Sequence, residues 1–236
     1  SKVRGLGSFI DGHKRAAGGV VPFLKITNDV AIAVDQLGTR KGAIATYLEI
    51  WHTDVNDFIE LRKNSGEERR RTHDLFPALW ICDLFMKRLE ENALWTLFDP
   101  YQCQELTELH GEAFEKRYLE LEQDPNIIQE QVSAKDLWKK ILMNYFETGL
   151  PFLCFKDNAN RANPNGHAGI IRSSNLCTEI FQNTQPNHYR IQVEFEDGSK
   201  VEFEEEELVT TDLGITKKAN KLTSLDSMQG KKIFIA

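Results

Sequence analysis

The stretch Ser173-Ser174-Asn175-Leu176-Cys177-Thr178-Glu179-Ile180 sets an amide, a thiol and a carboxylate at positions 175, 177 and 179. In an extended segment residues two apart project to the same side, so one short strand or loop can present all three to a single substrate. A local metal clip is a poor fit, because zinc needs several ligands and usually shows a C-x₂-C or H-x₃-H spacing that is missing around Cys177. The same alternation also describes a solvated strand edge, and the octapeptide alone leaves both readings open.

The elements that must position this stretch follow from periodicity. From Gly19 the pattern is helical, with Val20, Val21, Leu24, Ile26, Val30, Ile32 and Val34 expected mostly in the core, up to Asp35. Gly38 and Gly42 punctuate a loop carrying Arg40 and Lys41, and the run from Ala43 to Ile50 reads as a strand. Asp54 is expected to cap a following helix, with Asp57 at its positive end and Val55, Phe58, Ile59 and Arg62 at helical spacing. His52 reads as a hydrogen-bonded structural histidine rather than a base. The charge run Gly66-Glu67-Glu68-Arg69-Arg70-Arg71 is expected to be a solvated turn. Leu75 to Ile81 is a buried strand that Pro77 assigns to an edge or a bulge.

A helix is expected from Asp83 to about Asn92, then a strand over Trp95 to Phe98. Between Glu105 and Asp124 a surface helix buries Phe114, Tyr118 and Leu121. Ser133 with Asp136 starts another helix, whose stripe is Leu137, Trp138, Ile141, Leu142 and Tyr145 and whose end is Gly149. Phe152 to Phe155 is an apolar strand with Cys154 as a core thiol. Asp157 to His167 is a polar connection leading through Gly169-Ile170-Ile171-Arg172 into the 173–180 stretch. Strand and helix thus alternate over most of residues 20 to 180, the order of an α/β domain with parallel strands.

Composition bounds the answer. A chain of 236 residues, 41% apolar and 28% charged, can bury roughly 70–75% of its unfolded surface, in one large domain or two small ones. No apolar run approaches the roughly 20 residues of a membrane span, and the start Ser1-Lys2-Val3-Arg4 reads as neither a signal peptide nor an initiator but as a cut from a longer protein. Four isolated cysteines, at 82, 103, 154 and 177, form no disulfide framework and favour a reducing, cytoplasmic compartment. A net charge of −7 and a pI near 5.5 argue against a general nucleic-acid binder.

Asn175-Leu176-Cys177-x-Glu179-Ile180 resembles the active-site loop of the large, catalytic subunit of ribonucleotide reductases, particularly the aerobic class I enzymes. Neighbouring segments agree: Leu37-Gly38-Thr39-Arg40-Lys41-Gly42-Ala43 followed by Tyr47-Leu48-Glu49-Ile50-Trp51-His52 is similar to the family's specificity loop and the strand after it. Asp74 to Arg88, Thr148-Gly149-x-Pro151 and Asp157-x-x-Asn160 fall in the family's order. The resemblance covers roughly residues 3 to 180 and implies part of the family's ten-stranded α/β barrel.

The segment Arg4-Gly5-Leu6-Gly7-Ser8-Phe9-Ile10-Asp11-Gly12 looks like a dinucleotide fingerprint but has Ile10 at the third glycine and no strand before it. A flexible turn is the plain reading. By resemblance it is the first loop of the allosteric nucleotide site, with Arg4 facing phosphate and Ile10 beside it, while Gln36 and Arg40 match the specificity loop. Lys41 departs from the smaller or rigid residue of many relatives.

The resemblance also implies the chemistry. Replacing a ribose hydroxyl by hydrogen is too hard for acid–base catalysis alone, so the family uses a radical. Cys177 is then the transient thiyl radical that abstracts the 3′-hydrogen, Glu179 the base for the 3′-hydroxyl proton, and Asn175 the amide that holds the ribose hydroxyls. The implied partners are a ribonucleoside diphosphate substrate, dNTP or ATP effectors with Mg2+, a second large subunit, thioredoxin or glutaredoxin as reductant, and a metal-bearing small (beta) subunit that supplies the radical. No covalently bound cofactor, metal site, nucleic acid or membrane is expected for this chain. Neither Cys82, Cys103 nor Cys154 matches the family's redox pair, which is expected outside these residues, so the piece alone should be inactive.

Residues 181–236 are expected to be an insertion distinct from the partial barrel of 1–180. Tyr189, Ile191, Val193 and Phe195 alternate with polar residues, Asp197-Gly198 is a hairpin turn, and Val201 and Phe203 resume the alternation. The hairpin's outer face is acidic, with Glu194, Glu196, Glu202 and Glu204 to Glu207. It reads as a solubilising insertion or as a contact with the small subunit or a second large subunit. Two alternatives to the class I reading stay open: a non-catalytic nucleotide-binding module with a structural Cys177, and a reductase using a cobalamin or glycyl radical.

Overall fold

Three apolar runs build the sheet that carries the candidate site. The computed structural model describes residues 3–11, 13, 16–34, 38–184, 190–204, 207–222, 226–228 and 230–235. Gln36, Tyr189, Glu205 and Glu206, named above, lie outside them. The chain divides into two compact units, residues 1–184 and 185–236.

In the first unit, helix α1 (Val20–Ala33) precedes strand β1 (Ile44–Glu49), the short helix α2 (Val55–Ile59) and strand β2 (Leu75–Ile81). Helix α3 (Asp83–Glu90), strand β3 (Leu94–Phe98), helix α4 (Gly111–Glu122), strand β4 (Gln129–Ser133) and helix α5 (Ala134–Thr148) follow. Strand β5 (Phe152–Phe155) and helix α6 (Lys156–Arg161) lead toward the loop. The sheet order is β1-β2-β5, all parallel. Its β2 is buried at nearly every position, as a strand covered on both faces requires.

Pro77 does not make β2 an edge strand, since β2 is central in its sheet. It is tolerated because β5 pairs only from Ala78 onward, in the register Ala78↔Phe152 to Ile81↔Phe155, so Pro77, third of the seven residues of β2, has β1 alone beside it. The alternation is also broken once: β3 and β4 form a separate antiparallel pair. Strand β4 escapes a hydrophobic reading because Gln129, Glu130 and Gln131 are exposed.

The core gathers Trp51, Phe58, Phe85, Trp95, Phe98, Phe114 and Tyr118. Tyr118 stacks on Trp95 with centroids 4.5 Å apart, and its hydroxyl both donates to the Thr96 carbonyl at 2.7 Å and accepts from the Thr96 amide at 2.8 Å. A buried phenol thus meets the polar needs of one strand residue. Helix α5 ends as its sequence demands: Ser133 Oγ accepts from the Asp136 amide at 3.2 Å, and Gly149 closes the helix at φ 76° in the left-handed region. Tyr145 departs from the predicted stripe and is exposed, as are Met143 and Phe146 on the same helix.

Helix α1 forms where expected but does not bury its whole apolar surface. Val20, Val21 and Ala31 are buried, whereas Phe23, Ile26, Val30, Ile32 and Val34 are exposed. A helix apolar nearly all round has more hydrophobic surface than one sheet face covers.

Asp54 also acts elsewhere than predicted. Its carboxylate makes no cap bond to α2 and instead accepts from the Leu6 and Val20 amides, each at 2.8 Å, capping α1 from across the unit. Gly19, at φ 75°, leaves room for it: a Cβ there would lie 2.6 Å from Asp54 Oδ2. The run 66–71 is a turn with one short helical step, yet Arg71 is buried and donates twice to the Ser65 carbonyl, at 2.9 and 2.7 Å. Arg62 lies past the end of α2.

The second unit is more than a hairpin. Strands β6 (Arg190–Phe195) and β7 (Lys200–Glu204) pair antiparallel around the Asp197-Gly198 turn. Strands β8 (Leu208–Thr210) and β9 (Thr216–Lys218) form a second pair. Strands β10 (Ser227–Met228) and β11 (Lys231–Ile235) complete a four-stranded sheet of order β10-β11-β6-β7. Val193, Phe195, Val209, Ala219, Leu222, Met228 and Ile233 make its core, so residues well beyond the hairpin supply the apolar partners a lone hairpin lacks.

Helix α6 holds a buried carboxylate that replaces the predicted polar connection. Asp157 accepts from the Asp83 amide at 2.6 Å and the Gly111 amide at 2.7 Å, serving the N-terminal turns of α3 and α4 together. Replacing a cap by alanine costs about 1 kcal/mol, up to ~2. Asp157→Ala should therefore lower the stability of the chain by about 2–4 kcal/mol, read from the midpoint of urea unfolding, with Asp157→Asn retaining part of that difference.

Candidate active site

The stretch 174–181 is a closed turn rather than an extended segment. Ser174 and Phe181 form an antiparallel bridge at its base, and the Thr178 amide donates to the Asn175 carbonyl at 3.3 Å. The side chain of Asn175 organises the rest. Its Oδ1 accepts from the Glu179 amide at 3.2 Å, the Ile180 amide at 3.0 Å and Ser174 Oγ at 3.2 Å. Asparagine readily ties its own downstream backbone in this way, and the strand alternative raised by the spacing fails for that reason. Thr178 sits at φ 61°, a left-handed conformation unusual for a β-branched residue that the surrounding hydrogen bonds hold in place.

This arrangement divides the labour within the amide of Asn175. Its oxygen is occupied by the loop, while its Nδ2 makes no hydrogen bond to another described residue and remains a donor for a ligand. Cys177 and Glu179 are both exposed. Cys177 is the one exposed thiol of the four; Cys82, Cys103 and Cys154 are buried. Burial pushes the Cys103 thiol up to about 12 and raises those of Cys82 and Cys154 as well.

Several residues that sequence reasoning left without a role hold the loop. Tyr47, on β1, donates its hydroxyl to the Asn175 carbonyl at 3.1 Å. Its ring meets Trp80 of β2 edge-on at 5.9 Å, and Trp80 stacks on Phe181 at 6.2 Å. Upstream of the loop, Asn160 of α6 grips the chain at Ile171 with both ends of its amide: Oδ1 accepts from the Ile171 amide at 2.7 Å, and Nδ2 donates to the Ile171 carbonyl at 3.0 Å. The spacing Asp157-x-x-Asn160, one helical turn, was the available signal. Lys156, fully buried, pairs with Glu49 at 2.7 Å and donates to the Leu106 carbonyl at 3.0 Å; burial raises the Glu49 carboxyl while Lys156 opposes the shift. A cavity of about 370 Å³ lies against the loop, lined by Cys154, Phe155, Ile171, Thr178 and Phe181 among others.

The predicted nucleotide-loop residues are only partly gathered. Arg4 and Ile10 line a cavity of about 350 Å³ with Gly18, Gly19 and Phe23. The Arg4 guanidinium lies 4.0 Å over the Tyr101 ring and donates to the Phe9 carbonyl. Arg40 is exposed in the loop before β1. His52 is buried and takes the Asp54 amide on Nδ1 at 2.9 Å, and burial lowers its pKa, as fits a structural histidine. Among the described residues no group of three or more His, Cys, Asp or Glu side chains converges to hold a metal ion, and no helix is long and apolar enough to cross a membrane.

Residues 1–214 match the family model described as ribonucleotide reductase, barrel domain. The chain is similar to the ribonucleoside-diphosphate reductase subunit alpha of Helicobacter pylori strain J99, 75% identical over 236 residues, covering all of this chain and 30% of that protein. It is 50% identical over 185 residues to the subunit alpha of Chlamydia trachomatis, covering 77% of this chain and 18% of the relative. A ribonucleoside-diphosphate reductase large chain from Cryptosporidium parvum is 43% identical over 230 residues, 94% of this chain and 28% of the relative. The chain thus spans about a third or less of the curated relatives it matches.

The burial pattern sets an expectation for thiol chemistry. A disulfide reagent added to the native chain at mildly alkaline pH should titrate one cysteine rapidly, at Cys177, and all four after denaturation. Mass spectrometry that locates the fast label on Cys82, Cys103 or Cys154 would contradict the described packing.

Proposed function

Given that the chain belongs to the ribonucleotide reductase family through its barrel domain, we propose that it forms part of the large, catalytic subunit of a class I ribonucleoside-diphosphate reductase, which makes deoxyribonucleotides for DNA synthesis. The observation that carries this reading is the exposed Cys177 on a turn organised by Asn175 and followed by Glu179. The parallel strands β1, β2 and β5 are then a sector of a ten-stranded barrel, and the turn is the loop that enters its interior, where water is excluded. Residues 1–180 carry the effector loops and the active-site loop. Residues 181–236 are an added element bearing the acidic hairpin.

In this reading the Cys177 thiol gives up its hydrogen atom to an oxidising equivalent delivered by a metal-bearing small subunit. The resulting thiyl radical takes the 3′-hydrogen of a ribonucleoside diphosphate, and its S–H bond is close enough in strength to the ribose C–H bond for the exchange to be reversible. Glu179 accepts the 3′-hydroxyl proton as the 2′-hydroxyl, protonated by a thiol of the reducing cysteine pair, departs as water. Asn175 Nδ2 holds the ribose hydroxyls, in keeping with the engagement of Oδ1 inside the loop. The two electrons come from a cysteine pair elsewhere in the polypeptide, recharged by thioredoxin or glutaredoxin.

Arg4, Ile10, Gln36 and Arg40 bind a dNTP or ATP effector carried with Mg2+. The exposed apolar face of α1, with Phe23, Ile26 and Val30, supports a large-subunit homodimer, because a surface of this kind is normally covered. Unpaired cysteines fit a cytoplasmic enzyme.

The deciding measurement is cytidine diphosphate reduction by the complete enzyme with its small subunit, native against Cys177→Ser. The serine variant should lose at least about 1,000-fold in kcat, a barrier increase of roughly 4 kcal/mol, with an unchanged unfolding temperature, since Cys177 is exposed. A variant that keeps its activity would instead favour a non-catalytic nucleotide-binding module. Glu179→Gln should also be severely slowed while Cys177 still reacts with thiol reagents.

A further inference from the structure

We propose that Tyr47 is a positioning residue for the active-site loop, its hydroxyl fixing the Asn175 carbonyl and with it the turn that carries Cys177. The inference rests on the reading of Asn175, Cys177 and Glu179 given above and adds to it a residue on a different element. Two donors converge on the Asn175 carbonyl: Tyr47 Oη at 3.1 Å and the Thr178 amide at 3.3 Å. The second of these closes the turn around Cys177, so the first acts on the same oxygen from outside. Without Tyr47 the Asn175 end of the loop is held only by bonds within the loop, and the stacking of Phe181 on Trp80 fixes the other end alone.

Tyr47 is suited to this role by where it stands. It lies in the middle of β1, paired with Ala78 of the central strand, so its backbone is held within the parallel sheet. Its ring is seated against Trp80, and Trp80 stacks on Phe181 at the far end of the loop. One strand residue therefore holds the first residue of the turn by a hydrogen bond and its closing residue through an aromatic contact. Burial pushes the phenol up to about 12, so it remains a donor at any working pH. The strand that carries Tyr47 also continues directly from the loop bearing Arg40, which gives the anchor a covalent connection to the candidate effector loop.

Tyr47→Phe removes one oxygen and keeps the ring. In the complete enzyme with its small subunit it should lower kcat for diphosphate reduction by about tenfold, the equivalent of one net hydrogen bond, while KM changes by less than about twofold. The unfolding temperature should stay the same, and the alkylation rate of Cys177 should shift severalfold because the turn is no longer held. A purely structural tyrosine would change the unfolding temperature without the split between kcat and KM. Wild-type kcat, or a wild-type alkylation rate, in Tyr47→Phe overturns the proposal. Activity retained by Cys177→Ser would instead defeat the catalytic reading of the loop, and the alkylation rate still reports on the anchor in that case.

Discussion

A buried polar group must find a hydrogen-bond partner or cost several kcal/mol, and in this chain one six-residue helix meets that requirement at three of its positions. Lys156, Asp157 and Asn160 of α6 are all buried. Each is satisfied by a different part of the unit: Lys156 by Glu49 at the end of β1, Asp157 by the first turns of α3 and α4, and Asn160 by the backbone at Ile171. Because α6 follows β5 without a break, the third parallel strand, two helix starts and the approach to the loop at 174–181 are fixed by one another. Removing one partner would leave the others desolvated and unpaired, the costly half of the asymmetry in hydrogen bonding.

The loop beyond Ile171 is built on the same rule at smaller scale. Asn175 uses its side-chain oxygen to collect two backbone amides and a hydroxyl, and its main-chain carbonyl receives two donors. The Cys177 thiol is exposed, so the order of the loop comes from polar bonds around that group rather than from burying it. Phe181 and Trp80 supply the apolar contact at the base, and Thr178 accepts a left-handed backbone whose cost is offset by the bonds on either side.

The two exposed apolar helix faces have a different meaning. On α1 the outward residues are Phe23, Ile26 and Val30, and on α5 they are Met143 and Phe146. Large side chains at such exposure are covered by other polypeptide in most folded proteins, and the relatives that match this chain are about three times its length or more. Both faces are therefore candidate interaction surfaces. The periodicity that located these helices could not say which apolar residues face the sheet, since a helix apolar on most sides offers the same pattern in either orientation.

Local chemistry determined the elements with strong signals. The Ser133 cap and Gly149 stop of α5, the stripe of Phe114, Tyr118 and Leu121 on α4, the apolar β2 and β5 and the Asp197-Gly198 turn all follow from interactions between residues close in sequence. The motif around Cys177 likewise named the residues of the candidate site. Tertiary structure alone decided what those residues touch. Asp54 caps α1 rather than its own helix, because the Val20 amide, distant in sequence, lies within 2.8 Å of it. Pro77 sits in a central strand because β5 arrives one residue later. Polar β4 pairs because β3 lies beside it. Tyr47 and Asn160 matter to the loop through backbone atoms 128 and 11 residues away. Sequence periodicity reports which face of an element is apolar, whereas the partner of a buried polar group is set by where distant backbone comes to rest, and that is known only once the chain has folded.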